Sequence, residues 1–201
     1  MMRLHPAPTS RRCRPGLTLV ELMVVVALAL LVALLAAPSL RDMIELRRLR
    51  GVNAQLVTDL QFARSEAVRR NLRLVMHFDQ NDSMSCYIIY AGPNTCDCTG
   101  TPGSACNSAV TTEIRTVQVP RSDSVRLDLT AAPDQPRQLL LDNVAGGLMA
   151  VLNDVPSPAV DPFYITFRGD RVGQLRTSIN PAGRISVCSP GGSVSGVDSC
   201  S

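Results

Sequence analysis

The sequence predicts an α+β chain: one long N-terminal helix, membrane-spanning in its first half and amphipathic in its second, packed on an antiparallel β-sheet head. Three observations predict this. Apolar residues are concentrated between Leu17 and Leu40, where Glu21 is the only charge. Beyond them apolar residues recur at helical spacing as far as Asn71. After Asn71 the pattern changes to alternation, in short segments bounded by Gly, Pro, Asn and Asp. The changes divide the 201 residues into a leader at 1–16, a transmembrane and amphipathic helix at 17–71, and a β-rich head at 72–201.

The leader is basic. All 20 basic side chains are arginine, and four of them, Arg3, Arg11, Arg12 and Arg14, precede Gly16. Without it, 16 arginines face 17 acids, so no global charge argues for a polyanionic partner. The basic flank does argue for orientation: it stays cytoplasmic, and the C-terminal part is exported. The apolar run has the length of about 20 residues that a helix needs to cross a bilayer. It is longer than the roughly 7–15 apolar residues of an ordinary signal peptide. These features predict a single-pass membrane protein with its head exported.

Glu21 has two readings. A carboxylate at membrane depth is costly unless paired, which makes it a functional candidate. Thr18-x-x-Glu21 before an apolar run is also the pattern of a helix capping box. The residues themselves leave the two readings even.

Pro38 weakens one helical turn without ending the pattern. Leu49, Val52, Leu56, Leu60, Ala63 and Ala67 then form one apolar stripe. Arg47, Arg48, Arg50, Arg64, Arg69 and Arg70 fall largely off it and are expected to form a solvated face. Asn71 is the expected stop.

In the head, strands are expected over Leu72–Phe78, Met84–Tyr90, Val110–Val119, Val125–Leu129, Phe163–Phe167, Gln174–Ile179 and Arg184–Cys188. Two insertions interrupt them. Pro93–Ser108 holds three cysteines, and Ala131–Pro162 is Pro-rich with one short apolar strand at Gln138–Val144.

Of seven cysteines, Cys13 belongs to the leader; Cys86, Cys96, Cys98, Cys106, Cys188 and Cys200 remain. An even count in an exported domain reads as a disulfide framework. Cys188 and Cys200 are expected to close a C-terminal loop. The other four pair among themselves, with Cys96 to Cys98 sterically poor and the choice otherwise open. The competing metal reading is weaker, because Cys96-x-Cys98 is not a zinc knuckle and His77 is the one histidine beyond the leader. There is no G-x-S-x-G, P-loop or paired set of metal ligands. Neither a cofactor nor catalysis is expected.

The segment Gly16-Leu-Thr-Leu-Val-Glu21 resembles the cleavage signature of type IV prepilins and type II secretion pseudopilins. Leu17 stands where that family usually has Phe. The resemblance implies a membrane peptidase that cuts after Gly16 and methylates the new amine of Leu17. It implies that Glu21 neutralises the amino terminus of a neighbouring subunit in a filament.

Leu60–Asn71, Phe167-Arg-Gly-Asp and Asn180-Pro-Ala-Gly-Arg-Ile-Ser-Val-Cys188 further resemble the GspH/FimT branch of minor pilins. The implied function is a minor pseudopilin of a type II secretion pseudopilus. The alternatives are a FimT-like minor pilin acting in pilus biogenesis or DNA uptake, and a membrane-anchored periplasmic module that does not polymerise. In FimT-like members a Gly-Arg-x-Arg element implies DNA contact. Here Gly183, Arg184, Ile185 and Ser186 occupy it, so the second Arg is missing. Arg168, Arg171 and Arg176 supplement the charge, and weak DNA binding at most is expected.

Overall fold

The computed structural model describes residues 18–106, 108–129, 137–144, 146–152, 155–158 and 160–200. Gly16 and Leu17 lie outside them. The chain forms two compact units, one ending at Leu40 and one beginning at Arg41.

Helix α1 spans Leu19–Arg70. Thr18 caps its start: the Glu21 N–H donates to Thr18 Oγ1 at 3.3 Å. Its end is set by Asn71 in the left-handed region, φ 52°. The Leu72 N–H returns to the Ala67 carbonyl and the Asn71 N–H to the Val68 carbonyl. This is a Schellman closure, with Asn in the place that more often holds Gly. In the first unit the helix is long and apolar enough to cross a membrane, with a mean hydropathy of 3.0 over an 18-residue window.

Among its described residues the second unit contains the rest of α1 and ten strands: β1 Leu74–Gln80, β2 Met84–Ala91, β3 Thr112–Pro120, β4 Val125–Leu127, β5 Gln138–Leu141, β6 Leu148–Leu152, β7 Val155–Pro158, β8 Phe163–Gly169, β9 Gln174–Ile179 and β10 Ile185–Cys188. They form a six-stranded sheet, β3-β2-β1-β5-β6-β7, and a four-stranded sheet, β10-β9-β8-β4. Every named pairing is antiparallel. The expected strands are present with shifted ends. The correction is to Ala131–Pro162, which supplies three strands where one was expected. Prolines disguise the last of these. Pro156 and Pro158 lie on β7, an edge strand, where a missing N–H need not cost a ladder bond.

The strand period sorts side chains to two cores. Leu74, Met76 and Phe78 of β1 and Tyr87 and Ile89 of β2 join Leu49, Leu56, Leu60, Ala63 and Ala67 of α1. Phe163, Ile165, Phe167, Leu175 and Ile179 enter the same core from the four-stranded sheet. The alternate residues, Val75, Cys86, Ile88 and Tyr90, form a second cluster with Leu140, Cys96, Cys98 and Ala105. The loop after β2 therefore covers the outer face of the six-stranded sheet. This explains why β2 is an almost unbroken apolar run: both of its faces are buried.

Two disulfides staple that loop, Cys86–Cys98 and Cys96–Cys106. The third joins Cys188 to Cys200. All six cysteines beyond the leader are thus paired, and no thiolate remains among them for a metal. The Glu113 carboxylate ties the loop to β3. Burial works to raise its pKa, but donors from the Thr116 hydroxyl and the Gly103 and Ala105 amides outweigh this and hold it below the usual carboxylate value.

Candidate functional site

Three surfaces hold the residues that bear on function. The first is the N-terminal part of α1. Leu19, Val20, Leu22, Met23 and the apolar residues that follow to Leu34 are exposed, as is Glu21. A stretch of Leu and Val with no core beneath it is stable as a helix in lipid, where every backbone group must bond internally.

The second is the seat of α1 on the head. Four polar side chains lie buried in phase with the apolar stripe: Glu45, Asn53, Asp59 and Glu66. Each has partners. Glu45 accepts the Arg171 N–H at 2.7 Å, and the Arg171 guanidinium lies 3.9 Å from its carboxylate. Asn53 Oδ1 accepts the Thr177 hydroxyl at 2.8 Å. Asp59 is fully buried; it accepts the Tyr87 hydroxyl at 2.8 Å and pairs with Arg115. Burial, with the Asp59 charge beside it, raises the Tyr87 pKa far above its ordinary value, so the phenol is a donor at all physiological pH. Arg115 also lies 5.3 Å over the Phe62 ring. Glu66 accepts from Arg69 and Arg70. The Arg69 hydrogen bond, opposed by burial and aided by Arg70, lowers the Glu66 pKa to about 2.

The helix arginines are only partly a solvated face. Arg64 donates to the Gly183 and Ala182 carbonyls at 3.2 and 3.4 Å, and Arg50 to the Ser195 carbonyl at 2.6 Å. Both bind turns of the C-terminal region. The buried polar residues are not among those the pattern singles out, and Arg50 and Arg64, expected on the solvated face, bind the head instead. Glu45, Leu49, Asn53, Leu56, Asp59, Ala63 and Glu66 nonetheless follow each other at spacings of three and four. A polar residue in phase with the stripe is the signal that finds them.

The third surface is the outer face of the four-stranded sheet. The structure separates the four head arginines considered above. Arg168 lies 3.7 Å from Asp128. Arg171 lies by Asp42 and Glu45 at the helix seat. Arg176 and Arg184 come together, lining a cavity of about 400 Å³ with Pro162, Tyr164, Ser178, Asn180, Ser186, Cys188, Ser199 and Cys200. Gly183, beside Arg184, has φ 78°, and a Cβ there would lie 2.8 Å from Arg64 Cζ. Gly183 is therefore required by the turn and by the close approach of Arg64.

Comparison with known proteins gives two matches. The family described as Type II transport protein GspH matches residues 53–197, and the one described as Prokaryotic N-terminal methylation motif matches residues 11–37. No curated protein and no solved structure matches the chain.

Proposed function

The chain belongs to the GspH family of type II transport proteins, and on that premise we propose that it is a minor pseudopilin, a structural subunit of a type II secretion pseudopilus. The observation that carries this reading is the meeting of the two matches on one helix. The methylation motif ends at residue 37 and the GspH match begins at residue 53, both within α1. The family is structural rather than catalytic.

In this reading a prepilin peptidase removes 1–16 by cutting between Gly16 and Leu17 and methylates Leu17. The apolar half of α1 holds the subunit in the inner membrane, with the head in the periplasm, until it joins other pseudopilins. Inside a filament the exposed apolar stripe packs against its counterparts, and Glu21 meets the amino terminus of a neighbour. A buried carboxylate without its partner is strongly unfavourable, so the pair sets the axial register. Glu21→Ala makes the run more apolar and leaves membrane insertion intact.

The test is done in the native host. Intact mass of the wild-type subunit is expected to show loss of 16 residues, and Glu21→Ala is expected to insert but fail to support secretion. A mature chain that starts near Pro38, or full secretion by Glu21→Ala, refutes the reading. The FimT-like alternative draws on a basic track. Arg168 and Arg171 sit beside carboxylates, which removes two members of that track and favours the secretion reading.

A further inference from the structure

We propose that the cavity on the outer face of the four-stranded sheet is an oxyanion pocket that receives one carboxylate of a protein partner. The strand register builds it. Tyr164 of β8 pairs with Ser178 of β9, which pairs with Ser186 of β10. One step along, Arg176 pairs with Cys188. Residues two apart share a face, so Tyr164, Arg176, Ser178, Ser186 and Cys188 all project outward together. The β9–β10 turn adds Arg184, and the Cys188–Cys200 disulfide brings up the C-terminal segment as a wall.

The donors are arranged for an anion. Arg176 Nε is buried and lacks a hydrogen-bond partner. Burying an unpaired N–H is costly, and a ligand oxygen would relieve that cost. The guanidinium is held over the Tyr164 ring at 5.5 Å, which limits its rotation. The Ser178 and Ser186 hydroxyls are 2.7 Å apart. Two hydroxyls hold two protons, and their mutual bond uses one, so the second remains to donate outward. Arg184 is preset too: its own N–H donates to Asn180 Oδ1 at 2.8 Å, and Arg64 holds the turn from behind. Among the described residues, the lining contains two arginines and no carboxylate.

Size and charge select the occupant. A cavity of about 400 Å³ admits one side chain or one chain end. Two guanidinium groups can share a single carboxylate, whose planar oxygens suit the guanidinium fork. A duplex would need a track of cations; Arg168 and Arg171 face acids instead, and acids outnumber arginines beyond Asn71. This assignment rests on the pocket alone. Its failure leaves the assembly reading intact, and the converse also holds.

The experiment uses the full chain in detergent micelles, labelled with nitrogen-15, and three N-acetylated Gly/Ser hexapeptides that carry no cation. One has a free C-terminal carboxylate, one an internal Glu with an amidated end, and one neither. Either carboxylate peptide is expected to give saturable shifts of the Arg176 Nε–H and Arg184 amide signals, and the stronger of the two names the source. Arg176→Gln and Arg184→Gln are each expected to weaken that binding at least about tenfold, as loss of a charged hydrogen bond does. Arg121→Gln, on an exposed turn, is expected to change nothing. Should either pocket variant unfold, the wild-type Arg176 signal still decides. Equal binding of all three peptides, no shift at Arg176, or tighter binding of a duplex oligonucleotide through the same arginines overturns the proposal.

Discussion

Replacing Asp59 by Ala should unseat the helix from the head as severely as removing a buried leucine of its stripe. The carboxylate is fully buried and serves two partners on different strands, Tyr87 of β2 and Arg115 of β3. Its loss leaves the Tyr87 hydroxyl buried with no acceptor, at a cost of about 1–3 kcal/mol. It also strands the Arg115 guanidinium beside the apolar core. Breaking a buried pair by removing one partner costs about 3–5 kcal/mol, and because Arg115 is half exposed the lower end of that range applies. A total near 4 kcal/mol lies within the roughly 2.7–5 kcal/mol of a buried Leu→Ala. With a urea m-value of about 2 kcal/mol/M, the unfolding midpoint falls by roughly 2 M. The assay is urea unfolding of the full chain in detergent, followed by near-UV signal. Tyr87→Phe should cost much less, because the Asp59 charge keeps Arg115, and the double variant should show non-additivity above about 0.5 kcal/mol. A loss below 1 kcal/mol for Asp59→Ala, or strict additivity with Tyr87→Phe, would refute the claim that Asp59 is a dry, shared acceptor.

Three further outcomes are expected. Replacing both Cys188 and Cys200 by Ser should lower unfolding stability by about 3 kcal/mol, the cost of opening a short closed loop, while leaving the fold of β1 and β2 unchanged in amide spectra. Glu66 titrates at about 2 in the folded chain against an ordinary 4.5, so its contribution is fully present above pH 4.5 and is lost as pH falls through 2. Glu66→Gln should accordingly be less stable than wild type at pH 6, with the gap closing by pH 2 in thermal melts. Gly183→Ala should cost about 1–3 kcal/mol, because it forces a side chain into positive φ and against Arg64; the penalty should shrink in an Arg64→Ala background.

Much of the fold was legible because two periods divide the chain. Leu49, Leu56, Leu60, Ala63 and Ala67 mark a helix face, and Met84–Tyr90 marks a strand. What stayed hidden had a physical cause. Strands β6 and β7 lie among prolines, and only their place at the sheet edge makes Pro156 and Pro158 tolerable. Among Cys86, Cys96, Cys98 and Cys106 the sequence allows more than one pairing, and the choice follows from how the loop folds over β2. Arg168, Arg171, Arg176 and Arg184 look alike in sequence. Only sheet register shows that the first two face carboxylates and the last two share a cavity.

The polar residues on the buried face of α1 explain why this helix has one seat. A stripe of Leu and Ala is forgiving: displaced by one turn, about 5.4 Å, it presents another apolar stripe to the same sheet. Glu45, Asn53, Asp59 and Glu66 are not forgiving. Glu45 needs the Arg171 and Val172 amides, Asn53 needs Thr177, and Asp59 needs Tyr87 and Arg115. A one-turn slip parts all three from their partners at once, and each buried group left unpaired costs about 1–3 kcal/mol. These partners come from both sheets: Tyr87 and Arg115 lie in the six-stranded one, Thr177 in the four-stranded one. The same set therefore fixes the sheets relative to each other as well as to the helix. Arg64 and Arg50 extend this control to the β9–β10 turn and the C-terminal segment. A pull on the helix beyond Arg41 is then shared among partners in both sheets and in the C-terminal segment.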